Sequence, residues 1–590
     1  MSTPSVLERS LTASTTSAVP NTSTVPFISH HSESTCNNGA SLIPSSCREL
    51  GLVSAINRIL PNELLSIIFA VSVRRPSREY KEEKYTALTI SGVCGKWRSV
   101  ALNTQECWAV IDITLPAFSL LALSRVSNGL RVFWDTGEAY TDGIFRREIK
   151  SSIPMHLLSE LSSRASQISA LEISADMSRI RSEVLSLLSS ATHLSELSLA
   201  NATSPGLQLD ETELNGGTQH GTQYCSLRHV CLHGILPAWT SPLLSNPLTT
   251  LDLSNDNHSI TPLGVNALLT ILMKSRGLQH LRLQHIPFTS THDYRAPASI
   301  ASLPNLGELK LVFQHEQLRH VVNVLSRISF SLTTRVQIRG IWYGLTPMQA
   351  LQGGLPQLVA CPSIIALVQS SRAASLIVGR NPIIAEYWDK LDLSSESTPE
   401  PNLSIRFSFE SRSDVRNVVE LLAKIACAAN LPLSELKSLY LGINHNSSEQ
   451  NRSNPQRAAW DQLADTISRC CSLETLSLES KLTPPLLTLF IDSLHRALSS
   501  RFPNSSRTTY KLRRLRLIGD ISTSSYQSEE TFYSRVALLQ RKLPLLEEIH
   551  LYRQKYMNER TAVPHRQLTG QPRPVHFIFT DFNKEVFVSM

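Results

Sequence analysis

Aromatic side chains, paired cysteines and long apolar runs are scarce in this chain. Phe, Trp and Tyr make up 6% of its 590 residues, against 42% for all hydrophobic types. None of the ten cysteines stands in a Cys-x-x-Cys pair, so we expect reduced thiols rather than a disulfide framework. The adjacent pair Cys470 and Cys471 has no accompanying His or Cys cluster, which favours ordinary thiols over a redox or metal site.

Segments that would enter a membrane are also missing from the sequence. The longest apolar run, Leu64 to Val73, is interrupted by Ser66 and Ser72 and is far shorter than the ~20 residues of a membrane span. The first charged residues are not followed by the apolar stretch of a secretory signal. We therefore predict a cytoplasmic or nuclear protein without a membrane partner.

The motifs of common enzyme classes are absent as well. The sequence contains no Gly-x-Gly-x-x-Gly, no Walker loop, no His-Glu-x-x-His and no Gly-x-Ser-x-Gly. His315 and His320 fall on an amphipathic helical stretch and are interpreted as ordinary histidines. We predict that the chain is not an enzyme and uses no cofactor or metal.

Positive charge is too dilute to indicate nucleic-acid binding. The formal net charge of +7 is spread over the whole chain. One local cluster, formed by Lys511, Arg513, Arg514 and Arg516, lacks the interleaved aromatic residues that stack on bases. A solvated strand face is the favoured interpretation of this cluster, and no nucleic-acid partner is predicted.

Leucine is the dominant apolar residue, and it recurs in a Leu-x-x-Leu-x-Leu pattern. Amphipathic helical stretches follow most of the matches, at intervals of roughly 21–40 residues, which is typical of a solenoid. The predicted fold is α/β: a leucine-rich-repeat solenoid with a curved parallel sheet and helices on its outer side. The matches begin at Ile168, Leu194, Leu227, Leu248, Leu278, Leu306, Trp388 (a weak match), Leu436, Leu473, Leu512 and Leu546.

Between residues 312 and 435 the pattern nearly disappears, which predicts a degenerate repeat or an inserted loop. Near the C-terminus, residues 575–579 and 585–588 form a candidate capping hairpin. The predicted organisation is a disordered Ser/Thr-rich tail at 1–50, a short helical segment at 55–112, a linker and the start of the solenoid at 113–164, irregular repeats at 165–560, and a C-terminal tail at 561–590.

The helical segment at 55–112 combines two amphipathic patterns with a late tryptophan. Leu60-Pro-Asn-Glu-Leu-Leu-Ser-Ile-Ile-Phe69 is followed by Val93-Cys-Gly-Lys-Trp-Arg98 and then by Trp108. These marks, in this order, resemble the F-box, and the chain is similar to F-box-like proteins, numerous in basidiomycete fungi, that carry degenerate leucine-rich repeats. The segment departs from that family at Cys107, where a leucine is usual, and in the longer loop at 74–84.

The resemblance implies a substrate-recognition adaptor of an SCF-type ubiquitin ligase. An F-box docks on the small Skp adaptor, which connects to the cullin scaffold, while the repeats hold a target protein whose identity the sequence does not indicate. The alternative is a leucine-rich-repeat scaffold without a ubiquitin-ligase role. The residues expected to include the Skp-binding face are Leu60, Pro61, Leu64, Leu65, Ile68, Val93, Cys94 and Trp97.

A second candidate surface follows from strand geometry. Side chains alternate along a strand, so the residue between the last two leucines of each repeat points away from the core. Asp252, Arg282, Lys310, Tyr440 and Arg516 are the residues that we predict to bind the target on the concave face. A partner that binds a convex loop at 340–385 is the alternative. The full predicted row is Glu172, Ser198, Cys231, Asp252, Arg282, Lys310, Tyr440, Ser477, Arg516 and His550.

Overall fold

The computed structural model of this chain describes most residues from Ile59 onward. The predicted tail at 1–50 and the charged loop at 74–84 lie outside the described residues. Two compact units are distinguished, Met1–Asn62 and Glu63–Met590. The described residues are 59–73, 86–135, 155–201, 207–209, 224–255, 262–289, 300–343, 347–379, 382–389, 400–409, 418–429, 431, 434–444, 457–480, 484–501, 510–519, 526–543, 545–553, 576–581 and 584–589.

Helices and strands alternate through much of the second unit. The α-helices are α1 (Asn62–Val73), α2 (Thr86–Val93), α3 (Gly95–Asn103), α4 (Pro116–Leu123), α5 (Met155–Ser163), α6 (Met177–Ser190), α7 (Val265–Lys274), α8 (Leu318–Ser326), α9 (Pro347–Gly353), α10 (Leu355–Val359), α11 (Pro362–Ser370), α12 (Val418–Ala428), α13 (Arg457–Ser468), α14 (Pro484–Arg501) and α15 (Tyr526–Lys542).

The strands are β1 (Val110–Asp112), β2 (Leu130–Asp135), β3 (Ile168–Ala175), β4 (Glu196–Asn201), β5 (Leu207–Leu209), β6 (His229–His233), β7 (Ile235–Pro237), β8 (Thr250–Ser254), β9 (Leu263–Gly264), β10 (His280–Gln284), β11 (Phe288–Thr289), β12 (Ala301–Leu303), β13 (Glu308–Gln314), β14 (Ile328–Phe330), β15 (Arg335–Trp342), β16 (Ala373–Gly379), β17 (Ile383–Trp388), β18 (Leu403–Phe409), β19 (Ser438–Asn444), β20 (Thr475–Ser480), β21 (Arg514–Gly519), β22 (Glu548–Arg553), β23 (His576–Asp581) and β24 (Lys584–Ser589).

Local sequence signals explain where several helices begin. The Asp176 side chain accepts a hydrogen bond from the backbone N–H of Ser178 at the start of α6. At the start of α3, the Cys94 sulfur accepts from the backbone N–H of Trp97. A proline occupies the first turn of α4, α10 and α11, where its fixed φ suits a helix and its missing N–H costs no hydrogen bond.

Eighteen of the described strands form one large sheet in which parallel pairing dominates. Three pairs of short strands, β5–β7, β9–β11 and β12–β14, lie outside it and are also parallel. The predicted mixed α/β class with a large parallel sheet is therefore confirmed at this level. Neighbours in the large sheet follow the order β1, β2, β3, β4, β6, β8, β10, β13, β15, β18, β17, β16, β19, β20, β21, β22, β23, β24.

The repeated leucines line one buried face of this sheet. Leu251 and Leu253 on β8 stand in register with Leu281 and Leu283 on β10, and all four side chains are at most 2% exposed. The prediction that these leucines are almost fully buried is confirmed. The residues between them, Asp252 and Arg282, point to the other face, as the period of a strand requires; Arg282 is partly accessible there and Asp252 is 8% exposed.

The expectation of one parallel sheet of repeat strands is wrong at β17. β17 runs antiparallel to both of its neighbours, β16 and β18, and β24 runs antiparallel to β23. Only residues 380–382 connect β16 to β17. A parallel connection needs a crossover of about a dozen residues or more, so such a short link produces a hairpin. The C-terminal pair β23–β24 forms the hairpin predicted for that region.

Within the interval from 312 to 435, three strands of the large sheet that have a parallel neighbour carry no Leu-x-x-Leu-x-Leu match. They are β15, β16 and β18, whose inward residues are mostly Val, Ile, Ala, Leu and Phe. Near the start of β15 and of β16, a buried hydroxyl residue occupies the region that elsewhere holds the first leucine. The Thr334 hydroxyl donates to the carbonyl of Leu306, and that of Ser371 donates to Leu367. The weak match beginning at Trp388 does not mark a strand start, because β17 ends at that residue.

The sheet begins earlier in the chain than the repeat pattern suggests. β1 begins two residues after Trp108 and pairs in parallel with β2. Trp108 is fully buried, its indole N–H donates to the carbonyl of Ala101 over 2.8 Å, and the Arg125 guanidinium lies over its ring. This tryptophan therefore packs between the end of α3 and the first layer of the sheet.

Among the described helices, none combines the length and apolarity needed to cross a membrane.

Candidate protein-binding surfaces

Helix α1 buries one side and leaves a second apolar side in solvent. Leu65, Phe69 and Ala70 are buried. Leu64, Ile67, Ile68 and Val71 follow the i, i+3, i+4, i+7 spacing of a single helix face, yet they are 47%, 58%, 47% and 61% exposed. We call these four residues the α1 stripe. A contiguous apolar stripe of this kind is the usual mark of a protein–protein contact.

The buried side of α1 contacts the next helical pair. The ring of Phe69 lies 5.0 Å from that of Trp97 on α3, and α2 packs against α3. Leu65 is 1% exposed, so it also belongs to this local core. The three short helices therefore have a small core of their own, which orients the α1 stripe outward.

The structure divides the residues predicted for Skp binding into two groups. Leu64, Ile68 and Val93 are exposed, while Leu65 is buried, Trp97 is half-buried against Phe69, and Cys94 caps α3. In the first compact unit, Leu60 is half-buried and Pro61 is exposed. Sequence reasoning missed Ile67 and Val71. The helical spacing from Leu64 could have found both of them.

The second candidate surface is the open face of the large sheet. Strand registers place the predicted row residues side by side, and they add members from the strands that sequence analysis missed. The row of register partners is Asp112, Phe133, Glu172, Ser198, Cys231, Asp252, Arg282, Lys310, Gln337, Ser404, Glu386, Ser375, Tyr440, Ser477, Arg516 and His550.

Arg282 is largely neutralised by acidic neighbours on this face. Its guanidinium lies 2.9 Å from a carboxylate oxygen of Glu308 and 3.8 Å from one of Asp252, which is itself buried. Burial alone would raise the pKa of Glu308, but hydrogen bonds from Arg282 and His280 and their charges lower it below its usual value. Asp252, Arg282 and Glu308 therefore form an ion-pair cluster within the sheet, and their charges are less available to bind a partner protein.

Lys310 and Arg516 lack an ion pair with any of the described residues, and each is half-buried on the sheet face. Tyr440 is also half-buried, and its hydroxyl donates to Glu479. Burial, followed by that carboxylate, raises the pKa of Tyr440. The tyrosine therefore remains a neutral donor at any physiological pH. Of the predicted concave-face residues, Lys310, Tyr440 and Arg516 are therefore the ones whose side chains could still contact a ligand.

No group of His, Cys, Asp and Glu within the described ranges could hold a metal ion. None of the described cysteines forms a disulfide, and Cys470 is buried while its neighbour Cys471 is exposed. Burial, reinforced by Cys471, raises the pKa of the Cys470 thiol to about 12, so this thiol stays protonated and unreactive.

In the comparisons with known proteins, no family model matches the chain. None of the curated proteins matches it either.

Proposed function

We propose that this chain is a substrate-recognition adaptor of an SCF-type ubiquitin ligase. In this proposal, α1 to α3 and the following turn form an F-box that docks on the Skp adaptor, and the strand–helix units form a leucine-rich-repeat solenoid that holds the target. The chain performs no covalent chemistry. The chain contributes to ubiquitination by holding the target beside the ligase, which raises the local concentration of the target there.

The observation that carries the proposal is the α1 stripe. Its four large apolar residues face solvent although the same segment has a local core available in Leu65, Phe69 and Trp97. Apolar area of this kind stabilises a complex when a partner removes it from water, by roughly 25 cal/mol per Å². The motif order Leu60-Pro61, Val93-Cys94, Trp97 and Trp108 supports an F-box identity for the segment.

A scaffold without a ligase role is the second candidate. It is favoured by the inward packing of Leu65 and Trp97, since these motif residues already serve the fold of the segment itself. In that case the long row of the sheet face would be the main binding surface and the α1 stripe would contact a different protein.

The test is co-purification of the full-length chain with the Skp adaptor and the cullin. We expect Leu64→Ala with Ile68→Ala to reduce recovered Skp adaptor at least tenfold, because truncating anchors at an interface centre costs on the order of 2 kcal/mol or more. The matched control is Leu120→Ala with Leu121→Ala, which removes two similarly exposed leucines from α4. Equal recovery from both variants would contradict the proposal, as would absence of Skp adaptor from the wild-type sample.

A further inference from the structure

The inverted strand β17 brings together charges and apolar groups that lie far apart in the sequence. Arg339 on β15 is the register partner of Arg406 on β18, and Arg406 is in turn the partner of Ile384 on β17. Ile384 pairs with Ile377 on β16. These four residues lie on the open face, since they are separated by two positions from the row residues Gln337, Ser404, Glu386 and Ser375.

The positive charges at this place exceed the negative ones. Arg406 is paired with Glu386 over 2.8 Å, and Glu386 also accepts from the Ser404 hydroxyl. Arg339 is exposed and Lys310 is half-buried, and neither has an acidic partner among the described residues. Like charges directly opposite each other on neighbouring strands are destabilising, so the facing pair Arg339 and Arg406 favours a bound anion.

An apolar floor continues from the two arginines. Ile384 and Ile377 are half-buried on the open face. Next to them Gly442 lacks a side chain, and a Cβ there would stand only 3.1 Å from the Tyr440 ring and 3.2 Å from Ile377. The tyrosine therefore lies against Gly442 and extends the apolar surface. We call Lys310, Arg339, Arg406, Ile384, Ile377 and Tyr440 the basic–apolar strip.

We propose that the basic–apolar strip binds an extended peptide in which acidic residues adjoin aliphatic ones. The inference rests on the proposed function, because it takes the sheet face as the surface that holds the target. The acidic residues pair with Lys310 and Arg339, and the aliphatic ones cover Ile384 and Ile377. From Lys310 to Ile377 the strip crosses β13, β15, β18, β17 and β16, a distance of about 19 Å at the usual strand spacing, which about six extended residues would span.

The chemistry of the strip favours a peptide over a nucleic acid. Its apolar part is mainly aliphatic, whereas single-stranded nucleic acids are held by stacking on aromatic rings. The one aromatic residue, Tyr440, donates its hydroxyl to Glu479, and Glu386 lies beside Arg406. These two carboxylates would repel a continuous phosphate backbone, while a peptide can place its acidic residues at the basic end alone.

The experiment measures fluorescence anisotropy of the full-length chain with labelled hexapeptides of three glutamates and three leucines, in both orders. A peptide with glutamine in place of glutamate and a ten-nucleotide RNA are the comparison probes. Lys310→Glu with Arg339→Glu should weaken binding of the glutamate peptide at least tenfold. The matched control is Lys274→Glu with Arg319→Glu, an equal charge change at exposed positions of α7 and α8, and should stay within twofold of the wild type.

A second variant tests the apolar half separately. Ile384→Ser should weaken binding of the glutamate–leucine peptide and leave that of a hexaglutamate peptide unchanged. Recovery of the Skp adaptor, measured on the same samples, should not respond to any of these changes, so the strip and the proposed ligase role fail independently. Three results would overturn the inference: equal losses in the strip variant and the control, tighter binding of the RNA than of either peptide, or no binding of either peptide to the wild type.

Discussion

The helical segment and the large sheet differ in how much of their large apolar side chains is exposed to solvent. On α1, Ile67 and Val71 are 58% and 61% exposed, while the register partners Leu281 on β10 and Leu309 on β13 are fully buried. Both regions have abundant apolar residues at regular spacing. The difference is that β10 and β13 each have a hydrogen-bonded strand on both sides, whereas α1 belongs to a small segment whose described core is formed around Leu65, Phe69 and Trp97. Regular apolar spacing predicts a helix or a strand, but it does not predict whether the apolar face of that helix or strand is buried within the protein.

The largest expected effect contrasts a core leucine with a residue of the α1 stripe. Leu281→Ala should destabilise the protein by about 2–5 kcal/mol, because the truncation leaves a cavity between packed strands and helices. Ile67→Ala should change stability by less than about 0.5 kcal/mol, since its side chain is already in water. Urea unfolding followed by circular dichroism measures both variants. A similar loss in the two would mean that the α1 stripe is buried in the protein in solution.

A smaller effect is expected at a buried hydroxyl that joins two layers of the sheet region. The Tyr224 hydroxyl donates to the carbonyl of Leu188 in the last turn of α6, over 3.2 Å. Tyr224→Phe should cost about 0.5–1.5 kcal/mol, the usual net value of one hydrogen bond. The loss is limited because the Leu188 carbonyl also accepts from the backbone N–H of Ala191.

The contribution of Tyr224 to the stability of the protein also depends on pH. Burial raises the pKa of Tyr224 from 10.0 to about 12, so folding favours its neutral form. The stabilisation is complete below pH 10 and is lost as the pH rises from 10 to about 12. Urea midpoints of the wild type and Tyr224→Phe, compared over this interval, should converge as the pH increases. A constant difference between them would show that the phenol does not titrate as its burial requires.

The smallest expected effect concerns the charges on the open face of the sheet. The pKa of Glu308 is lowered below its usual 4.5, since Arg282 and His280 together outweigh the opposing effect of burial. A lowered carboxyl pKa contributes stability above about pH 4.5 that is lost as the pH falls through the folded value. Glu308→Gln should remove about 0.5 kcal/mol at pH 7, because the pair is partly exposed and screened by solvent.

Thermal unfolding at pH 7 and at pH 3.5 measures this difference, and the variant should approach the wild type at the lower pH. Lys310→Gln is the matched control, because Lys310 occupies the next outward position on β13 and has no acidic partner among the described residues. If Lys310→Gln is as destabilising as Glu308→Gln, the ion pair with Arg282 does not contribute to the stability of the sheet face.

Much of the fold was predictable from sequence because its signals are local. The fourth and sixth positions of the repeat pattern lie on the same face of a strand, so the burial of Leu251 and Leu253 followed from spacing alone. The strands β15, β16 and β18 were missed because Val, Ile and Phe replace their leucines and because Thr334 and Ser371 are buried near two of their starts. Both buried hydroxyls are satisfied by carbonyls: Ser371 bonds to Leu367 one helical turn earlier, while Thr334 bonds to Leu306 on a distant segment, which no local pattern reveals.

The candidate surfaces were predictable in part. Spacing placed Lys310 and Tyr440 in one outward row, and the strand registers agree with that placement. Spacing could not show that Asp252 and Glu308 neutralise Arg282, because that depends on side chains from three neighbouring strands. Arg339 and Arg406 were not considered at all, since the strands that carry them were not identified.

The sequence by itself determined the alternation of strands and helices, the inward face of each leucine-bearing strand and the helical nature of α1. Each of these depends on a period of two or of 3.6 residues, which local stereochemistry imposes on any chain. The tertiary structure alone decided the strand order β15, β18, β17, β16, β19, the partners of Arg282 and the exposure of the α1 stripe. These features depend on which distant segments become neighbours, and neighbours are selected by the packing of the whole sheet and not by any local spacing.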